Sequence, residues 1–571
     1  MTPLDQTVSA SQASGRQALS ENPSPDSRSV LWPAVMVLAA AFLVRLYEAW
    51  AYFFDPDEAL HNLLASQASF GMAYKAAGTL AHPPLLILVL YYWRALGHSE
   101  LILRLPSVLA GTACCWLAYL WMKDVTDRAT AFIGLLLFAF APALVALSAE
   151  IRQYAFLIFF ISACLYLSER ALRQNSLALM ILFALSLYGA LLSHYSALFF
   201  AATMGVYMPA RMRPYRTRVR LFAAWGIGQA GGVALSGYFV IHHLVRLRQA
   251  GMMSADFDTY LRRSIFHPAE RNFASFAAVQ TLRVFTVLFN HGIVGSLALL
   301  AFLLGMFLLL CGLRPGAAAP ADGRPSPREL ALLFALPFVM NCGAALAGQY
   351  PYGATRHSAS LFLFAVCGIS IGLASWPRLR GWGMYAGIAL ALLVCNVFPA
   401  PPPPIRARNQ ARSLMKAAVD FFWQAAAPGS VVVADYESGL LFGYYACGHG
   451  VVQTIPPMQA FARSDCGAYT VITTTPELWK FYASEFRGQV AGMANSYGLP
   501  AGTKVWLFDA GWITDSSPAL RVQLQSLGCQ SPQPFGENIL ICQIAVPAIN
   551  GNGEGTSAQR IEEWASEESR D

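Results

Sequence analysis

The sequence predicts a mainly α-helical, polytopic membrane protein with about eleven transmembrane helices, followed by a soluble α/β domain. Three observations carry that class. Of 571 residues, 56% are hydrophobic and only 12% charged, with a mean hydropathy of +0.45, far more apolar than a soluble chain of this length. Apolar runs long enough to cross a bilayer recur near residues 31–50, 105–122, 129–149, 154–169, 177–192, 196–209, 220–241, 291–313, 330–348, 357–375 and 382–398. Beyond residue 405 the composition becomes that of an ordinary soluble domain, with strand-like runs SVVVADY, YTVITT, KVWLF and NILICQI alternating with helix-like ones.

Taken in order, residues 1–28 are rich in Ser, Gln, Asn and Pro and carry no apolar h-region, so they are expected to form a disordered cytoplasmic tail rather than a cleaved signal peptide. Residues 29–400 form the membrane part. The run FPAPPPPIRARNQ (398–410) is a stiff boundary. Residues 405–548 make the soluble domain, and 549–571, rich in Gly, Ser, Glu and Arg, are expected to be disordered. Seven of the 11 cysteines lie in apolar segments, where a small buried hydrophobe explains them. The other four, Cys447, Cys466, Cys529 and Cys542, lack zinc spacing and predict one or two disulfides if the domain faces an oxidising compartment. The net charge of +7 is spread over many loops and does not point to nucleic acid, and no internal repeat is visible.

Lys and Arg favour cytoplasmic loops. The basic connections are MKDVTDR (122–128), ERALRQ (169–174), RMRPYRTRVR (211–220), RPGAAAPADGRPSPRE (314–329) and PRLRG (377–381). All fall on one side, with the N-terminus, provided that HPPLLILVLYYW does not span. Residues 82–97 are therefore expected to lie on or dip into the outer face. The loop 243–290 then lies outside despite its arginines. Four polar stretches meet at the outer face: DPDE (55–58), AEIRQY (149–154), SHY (193–195) and YGATRHS (352–358).

Each stretch has a plain structural explanation. Asp55 suits an N-cap, Pro56 the first helical position and Glu58 the third, a capping box that leaves Asp57 without a capping task. Glu150 and Arg152 could serve as an interfacial ion pair, His194 as a hydrogen-bonded membrane histidine, and Arg356 with His357 as an interfacial anchor. Their coincidence says more. Acids facing Arg and His at one membrane surface suit a site that activates a hydroxyl and stabilises a leaving phosphate. A proton-coupled transporter would place acids deep within its spans, whereas buried charge in these spans is nearly confined to Arg45.

The motifs DPDEALHN, HPPL, RLPSVLAG, SAEIRQYA and YPYGATRHS, in this order over about residues 31–400, resemble the GT-C membrane glycosyltransferases, in the branch of protein O-mannosyltransferases and lipid A aminoarabinose transferases. The resemblance implies a polyprenyl-phosphate-linked sugar donor, an acceptor reached from the outer face and inversion at the anomeric carbon. It carries over Asp57 as the catalytic acid group and Glu58 as its partner. Relatives often have an Asp in the second outer loop, where this chain offers Glu150, Gln153 and Tyr154, and some carry Lys where this chain has His194.

The resulting expectation is an inverting hexosyl- or pentosyltransferase in a bacterial plasma membrane, with a cytoplasmic N-terminus and an extracytoplasmic C-terminal domain. Asp57 takes the acceptor proton, and Arg152, His194, Arg356 and His357 meet the departing phosphate, with Asp55, His82, Glu150 and Tyr154 as further candidates. Partners are the lipid-linked donor, membrane lipids and a glycan, lipid or protein acceptor. No cofactor is required; a divalent metal bridging Asp57 and Glu58 to the phosphate is the lesser option. The alternative is a transporter or lipid-binding sensor with an extracytoplasmic domain.

Overall fold

The computed structural model describes residues 25–249, 261–313, 323–376, 381–398, 410–448, 461–475, 481, 485–510, 518–529, 533–536 and 538–548. The expected C-terminal tail, nearly all of the proline-rich boundary and most of the N-terminal tail lie outside these residues. The first helix begins at Pro25, inside the expected tail.

Every apolar run becomes helix. They are α1 (Pro25–Ala51), α5 (Glu100–Val125), the pair α6 (Arg128–Phe140) and α7 (Pro142–Ser148), α8 (Tyr154–Gln174), α9 (Leu177–Ser193), α10 (Ala197–Met212), α11 (Val219–Phe239), and then Gly292–Leu310, Pro327–Leu346, Ala359–Ala374 and Trp382–Val397. Between α1 and α5 come α2 (Pro56–Ala65), α3 (Phe70–Ala77) and α4 (Leu85–Trp93). Among the described residues six helices are long and apolar enough to cross a membrane, or seven if the α6–α7 pair, bent by 56°, counts as one broken span. The apolar stretch Leu85–Leu96 is among the shorter helices; at 1.5 Å per residue it reaches only about 18 Å, too little to span alone. A helix not foreseen, Phe273–Leu288, occupies much of the loop expected outside. Its Thr281 hydroxyl meets that of Tyr352 at 2.7 Å, and Tyr352 donates its amide to Ser264 O, which ties this loop to the end of the bundle that carries YGATRHS.

The α6–α7 break has a chemical cause. Pro142 has no N–H to give Phe138 O, four residues earlier. Arg45, 1% exposed, supplies the missing donors at 2.8 Å to Phe138 O and 2.7 Å to Ala139 O, a cation at a helix C-terminus. The one buried charge singled out in the first span is thus a cap for a broken helix. That break redirects α7 so that residues 149–153 arrive at the site.

The basic connections gather at the opposite end. Arg211 pairs with Glu169 through two 3.0 Å bonds and donates to Gly323 O, Arg218 donates to Leu172 O, Arg173 to Asp124 O at 2.6 Å and Arg324 to Thr126 O at 2.9 Å. Four of the five basic stretches are therefore on one side, as their charge predicts; most of the fifth, 377–380, lies outside the described residues.

The C-terminal part is a six-stranded sheet with order β2-β3-β1-β4-β6-β5. Its strands are β1 (Val431–Ala434), β2 (Phe461–Cys466), β3 (Tyr469–Thr474), β4 (Lys504–Ala510), β5 (Gln533–Phe535) and β6 (Ile539–Ala545). β3, β1 and β4 run parallel, with antiparallel strands outside them. The helix Arg412–Ala425 buries Met415, Ala418, Val419 and Phe422. Cys447 is bonded to Cys466, and Cys529 to Cys542.

Candidate active site

The site is built on the start of α2. Asp55 is the N-cap: its Oδ1 accepts from the amide of Glu58 at 2.9 Å, and Glu58 Oε2 accepts from the amide of Asp55 at 3.1 Å. This is the capping box read from DPDE, with Pro56 in the first turn. Glu58 has no capacity left. Its Oε1 also accepts from Arg104 Nε at 2.7 Å and from Ile151 N at 2.8 Å, and its Oε2 from an Arg104 terminal nitrogen at 2.5 Å. A carboxylate offers about four lone-pair directions, and here all are taken. Arg104, wholly buried, spends its remaining donors on the carbonyls of Ala49, Tyr52 and Phe53. Its only notice in the sequence was the motif RLPSVLAG.

Asp57 points the other way. It pairs with Arg152 while its side chain stays 23% exposed, against 6% for Asp55. Arg152 also reaches Asp55 Oδ2 at 3.3 Å. Arg356 lies 3.7 Å from Asp55 and 3.6 Å from Glu150. Among the described residues, Asp55, Asp57 and Glu150 thus face Arg152 and Arg356. Burial pushes the Asp57 carboxyl up to about 6, with Asp55 adding to the rise and Arg152 opposing it. Burial acts on Asp55 in the same sense, yet Arg152, Arg356 and the Glu58 amide together hold it well below the usual carboxylate range. The pair divides the work: Asp55 keeps the charge, and Asp57 is the group whose proton is exchangeable near neutrality.

On the flank stands a row of aromatic rings. His61 and His82 lie 6.3 Å apart between centroids, His82 stacks on His194 at 5.7 Å, and His194 is 5.8 Å from His357. Tyr154 packs 5.2 Å from His194, and Tyr350 lies 6.0 Å from His357. Burial holds His61 down to about 3, and burial with the neighbouring His194 lowers His82, so both imidazoles are neutral. His194 Nδ1 is 2.9 Å from Ser196 Oγ. The Nδ1 atoms of His61, His82 and His357 and both amide atoms of Gln153 are buried without a hydrogen-bond partner. Such groups are rare and mark places where something polar is to be met.

Every candidate read from the sequence converges here: Asp55, Asp57, Glu58, His82, Glu150, Arg152, Tyr154, His194, Arg356 and His357. Sequence reasoning missed His61, Arg104 and Tyr350. His61 stands four residues after Asp57 on the same helix, so the helical period was the available clue. Among the described residues no group of three or more His, Cys, Asp or Glu is arranged to hold a metal ion.

The family model for dolichyl-phosphate-mannose-protein mannosyltransferases matches residues 81–235. No curated protein matches the sequence. Among solved structures, ArnT from Cupriavidus metallidurans bound to undecaprenyl phosphate superposes with a TM-score of 0.50 at 12% identity, covering 91% of this chain and 100% of that one. This chain has the GT-C fold. The oligosaccharyltransferase of Archaeoglobus fulgidus aligns at 12% identity over 84% of this chain and 69% of its own, with a TM-score of 0.44. The Pmt1-Pmt2 protein O-mannosyltransferase complex of S. cerevisiae, bound to its sugar donor, aligns at 18% identity over 38% and 34%, with a TM-score of 0.31. In this GT-C chain the matched segment opens one residue before His82 and takes in Arg104, Glu150, Arg152 and His194, so the family match and the site geometry overlap.

Proposed function

We propose that this GT-C chain is an inverting glycosyltransferase that moves a sugar from a polyprenyl-phosphate donor to a hydroxyl acceptor at the outer face of a bacterial plasma membrane. One observation carries the reading: a partly exposed carboxylate, Asp57, whose proton affinity is raised by burial, beside a guanidinium pair and a row of neutral, partly unpartnered imidazoles. In the reaction Asp57 accepts the proton of the acceptor hydroxyl as that oxygen bonds to the anomeric carbon. The bond from that carbon to the phosphate oxygen breaks on the opposite face, and the phosphate leaves with the electron pair. Arg356, one-quarter exposed, and the imidazole row meet the developing charge. Arg152, engaged with Asp55 and Asp57, aims the base and lends a donor to the phosphate. Glu58 acts through the turn it holds rather than by taking a proton. The reaction needs no cofactor.

The orientation follows from the basic end: a bundle end rich in Arg is cytoplasmic, which puts Asp57 and the soluble domain outside. The test uses membranes from cells producing the full chain, which hold the natural acceptor. Added radiolabelled polyprenyl-phosphate hexoses or pentoses should lose their sugar to a new product and release polyprenyl phosphate, and Asp57→Asn membranes should not. Release of no label from any such donor, with retained binding of polyprenyl phosphate, would favour a lipid-binding sensor or a transporter instead.

A further inference from the structure

The soluble domain grips the segment that leads into Asp57, and we infer that Tyr445 makes this domain a positioning element of the active site. The inference rests on the reading of Asp57 as the base. Residues 52–54 link α1 to the N-cap Asp55 and lie between two regular helices, so their backbone groups need partners from elsewhere. The carbonyls of Tyr52 and Phe53 are satisfied by Arg104 at 2.7 and 3.1 Å. The amides of Phe53 and Phe54 are satisfied by the soluble domain. Phe53 N donates to Gln410 O at 3.0 Å, within a bridge that pairs Tyr52 with Ala411, and Phe54 N donates to the Tyr445 hydroxyl at 2.7 Å.

That hydroxyl in turn donates to the carboxylate of Glu100, which also pairs with Arg412 at 2.7 Å. The Phe54 ring lies 4.5 Å from Tyr444 and 6.3 Å from Tyr445, with the Arg104 guanidinium 4.9 Å over its face. Phe53 and Phe54 are buried in one apolar core with Met415, Phe422, Tyr436 and Leu441 of the soluble domain. Cys447, two residues beyond Tyr445, is bonded to Cys466 in β2, so the end of the helix Tyr436–Tyr445 is fixed to the sheet. A chain of covalent and hydrogen bonds therefore runs from β2 through Cys447 and Tyr445 to the amide next to the N-cap. Errors of about 1 Å in the placement of a reacting group cost on the order of a hundredfold in rate.

The test is Tyr445→Phe in the full chain, which keeps the ring and removes the hydroxyl, with Cys447→Ser/Cys466→Ser as a second variant that keeps the hydroxyl but frees the helix end. Hydrogen exchange of the peptide covering residues 50–60 should quicken about tenfold or more in Tyr445→Phe, and to a smaller degree in the double variant, with α8 and α9 unchanged. Turnover per folded molecule should fall about tenfold to a hundredfold in Tyr445→Phe while the donor KM stays within about twofold, a split that general unfolding does not give. Unchanged exchange at 50–60 together with normal turnover in Tyr445→Phe would overturn the inference. Wild-type membranes that consume no lipid-linked donor would sink the transferase reading, while faster local exchange in Tyr445→Phe would still uphold the positioning contact.

Discussion

The two ends of this helical bundle both bury arginine against carboxylate, and they do so to opposite effect. At the basic end Glu169 meets Arg211 in a two-bond pair, with the Tyr207 hydroxyl on the same carboxylate. Within that pair charge is matched one to one, and the Arg211 and Glu169 side chains are 2% and 1% exposed. At the other end, among the described residues, Asp55, Asp57 and Glu150 lie against Arg152 and Arg356, Asp57 is partly exposed, and imidazole and Gln153 amide atoms are buried without partners. Burying a matched pair is a structural device. A cluster with buried polar atoms left unpartnered costs stability and persists where a ligand is to complete it. The contrast separates scaffold from chemistry more sharply than the identity of the residues does.

The comparison breaks first at Asp57. Asp57→Asn keeps the size of the side chain and leaves Asp55 capping α2, so the variant should fold; its transfer rate should drop about a hundredfold to ten-thousandfold, read by donor consumption per folded molecule. Near-normal turnover would move the base elsewhere, with Glu150 next in reach of Arg356. At the basic end, Arg211→Met should do the reverse. It strands Glu169 in a buried site at a cost of about 3–5 kcal/mol, seen as a lower melting temperature, while turnover of the surviving folded fraction changes little. A tenfold fall in kcat there would blur the distinction between the two ends.

Smaller effects sharpen the site end. Arg356→Ala should raise the donor KM about tenfold or more through the lost charge-assisted contact, measured with intact lipid-linked donor. His61→Asn, on the far end of the imidazole row, should weaken donor binding by a few-fold, about 1 kcal/mol for one neutral hydrogen bond. Unaltered donor affinity in both variants would place the phosphate away from this row.

Much of this was legible in the sequence because its cause is local. The capping box at Asp55 and Glu58 is written in four residues, the helices in the apolar runs, and the sidedness of the basic loops in their Arg content. What was not legible is set by distant partners. Glu58 reads as the catalytic partner of Asp57 until Arg104 and Ile151, 46 and 93 residues away, are seen to fill its lone pairs. Arg45 reads as an isolated charge until Pro142 is seen to free a carbonyl for it. Tyr445 lies 391 residues from Phe54, and no period or motif joins them. Helix Phe273–Leu288 is hidden in the sequence because its apolar face lies within a loop that carries several arginines.

The central claim is that burial, with the Asp55 charge adding to it, sets Asp57 apart as the base, and the pH dependence of turnover tests it most directly. A base works only when ionised, so kcat should fall as pH drops through about 6 and level off above it. Removing the neighbouring charge with Asp55→Asn should move that midpoint to lower pH, because Asp55 is one of the causes of the rise. The account predicts both the midpoint and the direction of its shift. Turnover that is flat from about pH 5 to 8, or a midpoint that stays fixed or climbs in Asp55→Asn, would contradict it.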